Sequence, residues 1–210
     1  MSAVVAYEDR LRADPWLMFQ EISMHFDKTG AVYRTMRKIS TRLDELGLPY
    51  VVVGGMALNL HGYVRATDDV DLLVTRATLA TIHERLEGLG WVTPFAGSKN
   101  LRDADTGVKI EFLVTGEYPG DGKPKPVAFP DPADVTTVIG TIRCLRLDKL
   151  VELKLASSTA KGRRKDAADV QELIRLVPLP ADFPDRLDSS VRGLFIELRD
   201  ELVPDRPAGE

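Results

Sequence analysis

Two aspartates separated by one residue are the clearest candidates for chemistry in this sequence. Asp69 and Asp71 stand in Asp69–Val74, where the acids alternate with apolar residues as in a strand. Residues i and i+2 of a strand point to the same side, so both carboxylates would face one ligand. Two convergent carboxylates supply the oxygen ligands required by Mg²⁺ that bridges phosphate oxygens. Glu111, on a predicted neighbouring strand, could complete the site by sharing a metal ion or deprotonating an attacking hydroxyl.

A pair of glycines precedes these aspartates. Gly54 and Gly55 follow the β-branched run 50–53, and thirteen residues separate them from Asp69. Glycines between a strand and a helix let the backbone approach a triphosphate closely, and the amides and dipole of a helix N-terminus favour its negative charge. The pattern therefore indicates a phosphate-binding turn followed by a metal-binding strand.

The elements that must position these residues alternate between helices and strands. Helices are predicted within 8–26 and over 31–46, 56–62, 77–89, 147–157, 165–176 and 188–202. Strands are predicted at 50–53, 69–74, 91–93 and 108–114, with two more around Gly140. The proline- and glycine-rich segment 116–132 is expected to be an ordered surface loop. This order predicts an α+β (mixed α/β) fold.

Length and composition exclude several classes of protein. The 210 residues suit one compact domain, or a catalytic core with a small helical appendage. The single cysteine excludes an internal disulfide, and the first residues lack the pattern of a secretory signal, so a cytoplasmic location is expected. The apolar runs are too short to span a bilayer, so no membrane partner is expected.

Charge is distributed unevenly along the chain. The formal net charge of −4 argues against non-specific coating of nucleic acid. The segment 143–165 nevertheless carries eight basic and two acidic residues, a net charge of +6. This local excess mildly favours a phosphate-rich partner.

Taken together, the motifs resemble those of the DNA polymerase beta-like nucleotidyltransferase superfamily. The shared signature is an apolar residue, Gly-Gly or Gly-Ser, a spacer of about ten residues and Asp-x-Asp, as in Gly54-Gly55 and Asp69-Val70-Asp71. The spacer is similar to that of small bacterial and archaeal members, including AbiEii-like toxins, in having His61-Gly62, Arg65 and Thr67. The segments 149–155 and 164–170 look like the family's lysine helix and its Arg/Lys-Asp-x-x-Asp helix. The resemblance covers roughly residues 50–176.

The resemblance implies a role for each of these residues. Asp69, Asp71 and Glu111 would be the catalytic residues and the ligands of Mg²⁺ or Mn²⁺. The nucleotide, an NTP, would be bound by Gly54, Gly55, Arg65, Thr67 and Lys154. Two positions depart from the family pattern, since Gly55 replaces a frequent serine and Glu111 replaces the usual aspartate.

The implied fold is a small mixed β-sheet flanked by helices with a C-terminal helical portion. Its expected parts are an N-terminal helical segment (1–30), a nucleotidyltransferase core (31–146), the C-terminal helical portion (147–203) and a frayed tail (204–210). The implied activity is metal-dependent transfer of an NMP to a hydroxyl of an RNA 3′ end, such as that of tRNA, or of a small molecule. The protein would then be a toxin with an antitoxin partner, or an enzyme of another kind. The alternative is a catalytically silent nucleotide- or partner-binding module with the same fold.

Overall fold

A computed structural model describes residues 4–202, so the tail predicted at 204–210 lies outside the described residues. Its helices are α1 (Tyr7–Ala13), α2 (Pro15–Phe26), α3 (Ala31–Glu45), α4 (Gly54–Leu60), α5 (Arg76–Leu86), α6 (Pro132–Val135), α7 (Leu147–Ser158), α8 (Arg164–Leu176) and α9 (Ser189–Asp200). Its strands are β1 (Tyr50–Val52), β2 (Asp69–Val74), β3 (Trp91–Val92), β4 (Leu101–Asp103), β5 (Lys109–Val114), β6 (Thr136–Ile139) and β7 (Ile142–Leu145). The predicted mixture of helices and strands is confirmed.

The described strands form one mixed sheet in the order β3-β4-β5-β2-β1-β7-β6. The central strand β2 runs parallel to β5 and antiparallel to β1. Parallel register places Asp71 opposite Glu111 and Asp69 opposite Lys109. The sheet therefore brings two acid-bearing segments, distant in sequence, side by side.

Each face of the sheet is covered by its own apolar core. Val70, Leu72 and Val74 of β2 belong to the core that includes residues of α1, α3 and α5. Leu73 belongs to the opposite core, with residues of α7, α8 and α9. Because side chains alternate along a strand, Asp69 and Asp71 share the face of Leu73. The two acids thus lie in the layer between the sheet and the C-terminal helices.

Most predicted elements are present, but some boundaries differ. The N-terminal segment forms two helices, because the Asp14 carboxylate accepts hydrogen bonds from the first turn of α2 and Pro15 begins that helix. Helix α4 begins at Gly54 instead of residue 56. Helix α5 ends at Leu86 instead of residue 89, because Gly88 adopts a φ of +83°, which ends the helical path.

Strand β4 is a feature that the sequence pattern does not predict. It has three residues and pairs with β3 and β5, so it lacks the length over which alternation becomes visible.

None of the helices described within 4–202 has the length and apolar character needed to cross a membrane.

The loop that follows β5 is ordered, as predicted, as far as Pro132, where α6 begins. The backbone N–H of Gly116 donates to the carbonyl of Phe129 at 2.9 Å, which closes the base of the loop. Near its tip Gly120 lies against α7, where a Cβ would come within 2.9 Å of the Ser157 carbonyl oxygen. These contacts fix the loop as a wall beside the face that carries the acids.

Candidate active site

Three carboxylates meet on one face of the sheet. Asp69 and Asp71 come from β2, and Glu111 comes from the neighbouring position on β5. Each offers one oxygen atom, and these three atoms lie within 4.8 Å of one another. Carboxylate oxygens gathered in this way can act together as ligands of one divalent cation. The structure therefore brings together the three acids that the sequence indicates as catalytic and metal-binding.

Burial makes full ionisation of this carboxylate cluster unfavourable. Burial is the main cause that raises the pKa of Asp71 to about 7, and the charges of Asp69 and Glu111 raise it further. Burial also raises the pKa of Asp69, which a hydrogen bond from Thr67 partly offsets. A bound cation would favour the ionised forms of these groups, so the electrostatics fit a metal site.

Gly54 makes room for the cluster. Its φ is +61°, a backbone conformation that L residues with a side chain rarely adopt. A Cβ on Gly54 would overlap the carboxylate of Asp71. Glycine is therefore needed here both for the turn and for the close approach of the backbone to the second aspartate.

Gly55 is confined by a different neighbour. A Cβ at this position would lie 2.8 Å from both Cβ and Oγ1 of Thr67. The Thr67 hydroxyl donates to Asp69 Oδ1 at 3.0 Å. Thr67 thus fills the space beside Gly55 that a serine side chain would need, and its own hydroxyl reaches the carboxylate cluster.

A buried ion-pair network forms the wall opposite the acids. Lys154 of α7 donates to Asp166 at 3.0 Å and to Asp169 at 2.7 Å, and all three side chains are buried. Arg65 also reaches Asp169, at 3.1 Å from Nη2 to Oδ2. Burial raises the pKa of Asp166, but Lys154 and the other donors hold it below its ordinary value. Both aspartates of α8 are therefore paired with basic side chains.

Two further cations line the same cavity at the start of α8. Arg163 pairs with Asp166 at 2.9 Å, whereas no carboxylate of the described chain lies within 4.0 Å of the Lys165 ammonium. Both belong to the basic stretch 143–165. Neither residue was predicted as a nucleotide ligand, because a basic turn is most often only solvated.

Lys109 also belongs to the acidic site, although it was not predicted as a site residue. Its Nζ lies 2.7 Å from Glu111 Oε2 and 4.0 Å from Asp69 Oδ2. The signal was present in the alternation of β5, which puts Lys109 and Glu111 on one face.

One cavity of about 310 Å³ is lined by the acids and by part of the ion-pair network. The acids line it together with all five residues that the resemblance implies for nucleotide binding: Gly54, Gly55, Arg65, Thr67 and Lys154. The ordered loop contributes Tyr118, Pro119 and Phe129, and α7 contributes Leu150 and Leu153. The cavity therefore has an acidic floor, a basic wall and an apolar wall, which are the three surfaces that a metal-bound nucleotide requires.

No protein-family model and no curated protein sequence matches the chain. Among solved structures, it is similar to an antigenic nucleotidyltransferase-like protein from Paracoccidioides brasiliensis, with 16% identity, a TM-score of 0.48, and 82% of this chain and 88% of that chain covered.

Two other solved structures show similar values. JHP933 from Helicobacter pylori has 16% identity and a TM-score of 0.46, with 80% of this chain and 88% of that chain covered. ANT(2″)-Ia, solved in complex with adenylyl-2″-tobramycin, has 14% identity and a TM-score of 0.41, with 80% of this chain and 97% of that chain covered. These are likenesses in chain path and assign no activity to this chain.

Proposed function

We propose that this protein is a metal-dependent nucleotidyltransferase that moves an NMP from an NTP to a hydroxyl acceptor. The observation that carries the proposal is the convergence of Asp69, Asp71 and Glu111 within 4.8 Å in a cavity whose opposite wall is basic.

The residues present fit a divalent ion. The three donors are carboxylate oxygens, which suit Mg²⁺ or Mn²⁺. When bound, such an ion supplies charge neutralisation for the phosphates of the nucleotide. Asp69, Asp71 and Glu111 are the ligands in this proposal.

The chain's own groups then account for the transfer. An acceptor hydroxyl oxygen forms a bond to the α-phosphorus, and the bond from that phosphorus to the β-phosphate oxygen breaks, so that pyrophosphate leaves. The hydroxyl proton passes to the Glu111 carboxylate, which acts as general base. Most of the acceleration comes from holding the reacting groups in line and from compensating charge.

The remaining walls of the cavity bind and orient the nucleotide. The backbone at Gly54–Gly55 admits the phosphates, and the Thr67 hydroxyl lies beside them. Lys154 and Arg65 contribute as one unit, because Asp169 holds both of them. Arg163 and Lys165 extend this positive wall to the rim of the cavity. The nucleobase lies against the apolar wall made by Tyr118, Phe129 and their neighbours.

The acceptor is an RNA 3′ end, such as that of tRNA, or a small molecule. The basic stretch 143–165 favours a phosphate-rich acceptor, because Lys161, Arg164 and Lys165 are exposed beside the cavity-lining Arg163. On this proposal the protein acts in the cytoplasm, and it would be the toxin of a toxin–antitoxin pair if its transfer harms the cell. Growth after induced expression of wild type and of Asp71→Asn tests that role.

A catalytically silent binding module is the second candidate. The ion pair between Lys109 and Glu111 favours it, because Glu111 is already engaged by a cation of the chain itself. Such a module would bind nucleotide without consuming it.

The decisive experiment measures binding and transfer separately. Titration calorimetry with each NTP, with and without Mg²⁺, is performed on wild type, Asp71→Asn and the control Asp200→Asn, whose side chain lies exposed on α9. Each NTP labelled at the α-phosphate is then incubated with total RNA and with pools of small hydroxyl compounds.

We expect metal-dependent NTP binding and label transfer in wild type and the control, and neither in Asp71→Asn. Binding without transfer to any acceptor would support the silent module. Absence of NTP binding by folded wild-type protein would refute the transferase and the nucleotide-binding module, and would leave a partner-binding module.

A further inference from the structure

Lys109 occupies the position of a counter-ion in the carboxylate cluster. Its Nζ donates to Glu111 Oε2 at 2.7 Å and approaches Asp69 Oδ2 at 4.0 Å. It reaches both because β5 and β2 are in parallel register, with Lys109 opposite Asp69 and Glu111 two residues further along. One ammonium thus sits between two of the three acids implied as metal ligands.

No other cation of the described residues pairs directly with these acids. Within residues 4–202, no lysine or arginine except Lys109 lies within 4.0 Å of Asp69 or Glu111, and none lies that close to Asp71. Lys154 is held by Asp166 and Asp169, and it acts on Asp71 only through its charge at a greater distance. Lys109 is therefore the cation that pairs directly with the cluster in the protein without metal.

Its side chain is also more accessible to solvent than that of Lys154. The Lys109 side chain is 31% exposed, compared with 9% for Lys154. A lysine ammonium on a flexible four-carbon stem can change partners by rotating its side chain, without moving the strand. A route from the cluster toward solvent is therefore open to Lys109 but closed to Lys154.

We propose that Lys109 is a resident counter-ion of the metal site, which pairs with Asp69 and Glu111 in the metal-free protein and moves aside when a divalent ion binds. This inference rests on the proposed metal site and adds a competitor within it. Two cations cannot occupy one cluster of oxygens at contact distance, so the lysine weakens binding of the metal.

The test is metal affinity in the absence of nucleotide. Mn²⁺ binding is measured by titration calorimetry on the full chain of wild type, Lys109→Met and Lys109→Arg. Lys99→Met is the matched control, since Lys99 is likewise paired with a glutamate, Glu117, at 3.1 Å, and lies outside the lining of the cavity. Removing a competing unit charge at about 4 Å should tighten Mn²⁺ binding by about tenfold or more in Lys109→Met. Lys109→Arg and Lys99→Met should stay close to wild type.

A second measurement tests the inference even if a variant is unstable without metal. Melting temperatures are recorded with EDTA and with saturating Mn²⁺, and Lys109→Met should show the larger rise on adding Mn²⁺. If wild type binds Mn²⁺ and Lys109→Met binds it no more tightly and gains no larger rise, the inference is wrong while the metal site stands. If neither protein binds Mn²⁺, the proposed metal site fails, and the inference fails with it.

Discussion

Replacing Asp71 by asparagine should stabilise the metal-free protein increasingly as the pH rises. The carboxyl group is buried beside two other acids, which raises its pKa to about 7 from an ordinary value of 3.8. A raised pKa in the folded state means that folding opposes ionisation of this group. The resulting loss of stability is absent below about pH 4, grows as the pH rises toward 7, and is constant above that value. Asp71→Asn removes this loss of stability at every pH.

The magnitude follows from the shift. The difference of about 3 pH units, at 1.36 kcal/mol per unit, corresponds to about 4 kcal/mol as an upper limit. Asp69 and Glu111 relax when Asp71 loses its charge, so a smaller value is expected. The quantity to compare is the change between pH 4 and pH 8 in the stability difference between the two proteins, because any cost of the amide itself is present at both values.

Urea denaturation in EDTA at several pH values between 4 and 8 measures this change. Wild type, Asp71→Asn and the exposed control Asp200→Asn are compared, and the control should show little dependence on pH relative to wild type. We expect the free energy of unfolding of Asp71→Asn to rise relative to wild type across the range. A difference that stays flat, or that reverses in favour of wild type at pH 8, would refute the account of the carboxylate cluster.

Three further predictions concern the cavity walls. Gly54→Ala should abolish metal-dependent NTP binding and lower the melting temperature, because its Cβ overlaps the Asp71 carboxylate and φ is +61°; retained binding in calorimetry would contradict this. Gly55→Ser should destabilise the protein by about 1–3 kcal/mol through crowding against Thr67, and Gly55→Ser/Thr67→Gly should recover part of that loss in urea denaturation. Tyr118→Ala should weaken NTP binding with little effect on the binding of inorganic triphosphate, whereas Tyr118→Phe should bind both ligands like wild type. If Tyr118→Ala loses equal affinity for both ligands, the nucleobase lies elsewhere.

The acidic part of the site could be predicted from local pattern because its geometry follows from strand periodicity. Alternation puts Asp69 and Asp71 on one face of β2 wherever that strand lies, and the same rule places Glu111 on one face of β5. What alternation cannot supply is that β5 pairs with β2 in parallel register. The predicted strands made Glu111 a candidate third acid, and the resemblance implied its role beside the two aspartates.

Lys109 shows where reasoning from pattern stops. Its place on the face of Glu111 was visible, but a lysine on a half-buried strand is ordinarily solvated. Its contact with Asp69 depends on the pairing of two strands, which spacing within one strand does not contain. The same limit applies to β4, whose three residues are defined by their partners more than by their own sequence.

The opposite wall depends on contacts between distant segments. Asp166 and Asp169 lie three residues apart on α8, so a shared face was predictable from helical spacing. That Asp169 would receive both Lys154 from α7 and Arg65 from the segment before β2 was not, because three separate elements meet there. Since removing one member of a buried ion-pair network leaves the others without partners, a substitution at any one of Lys154, Asp169 and Arg65 should disturb the other two. The basic wall is therefore held in place by contacts among α7, α8 and the segment before β2, and not by any single side chain.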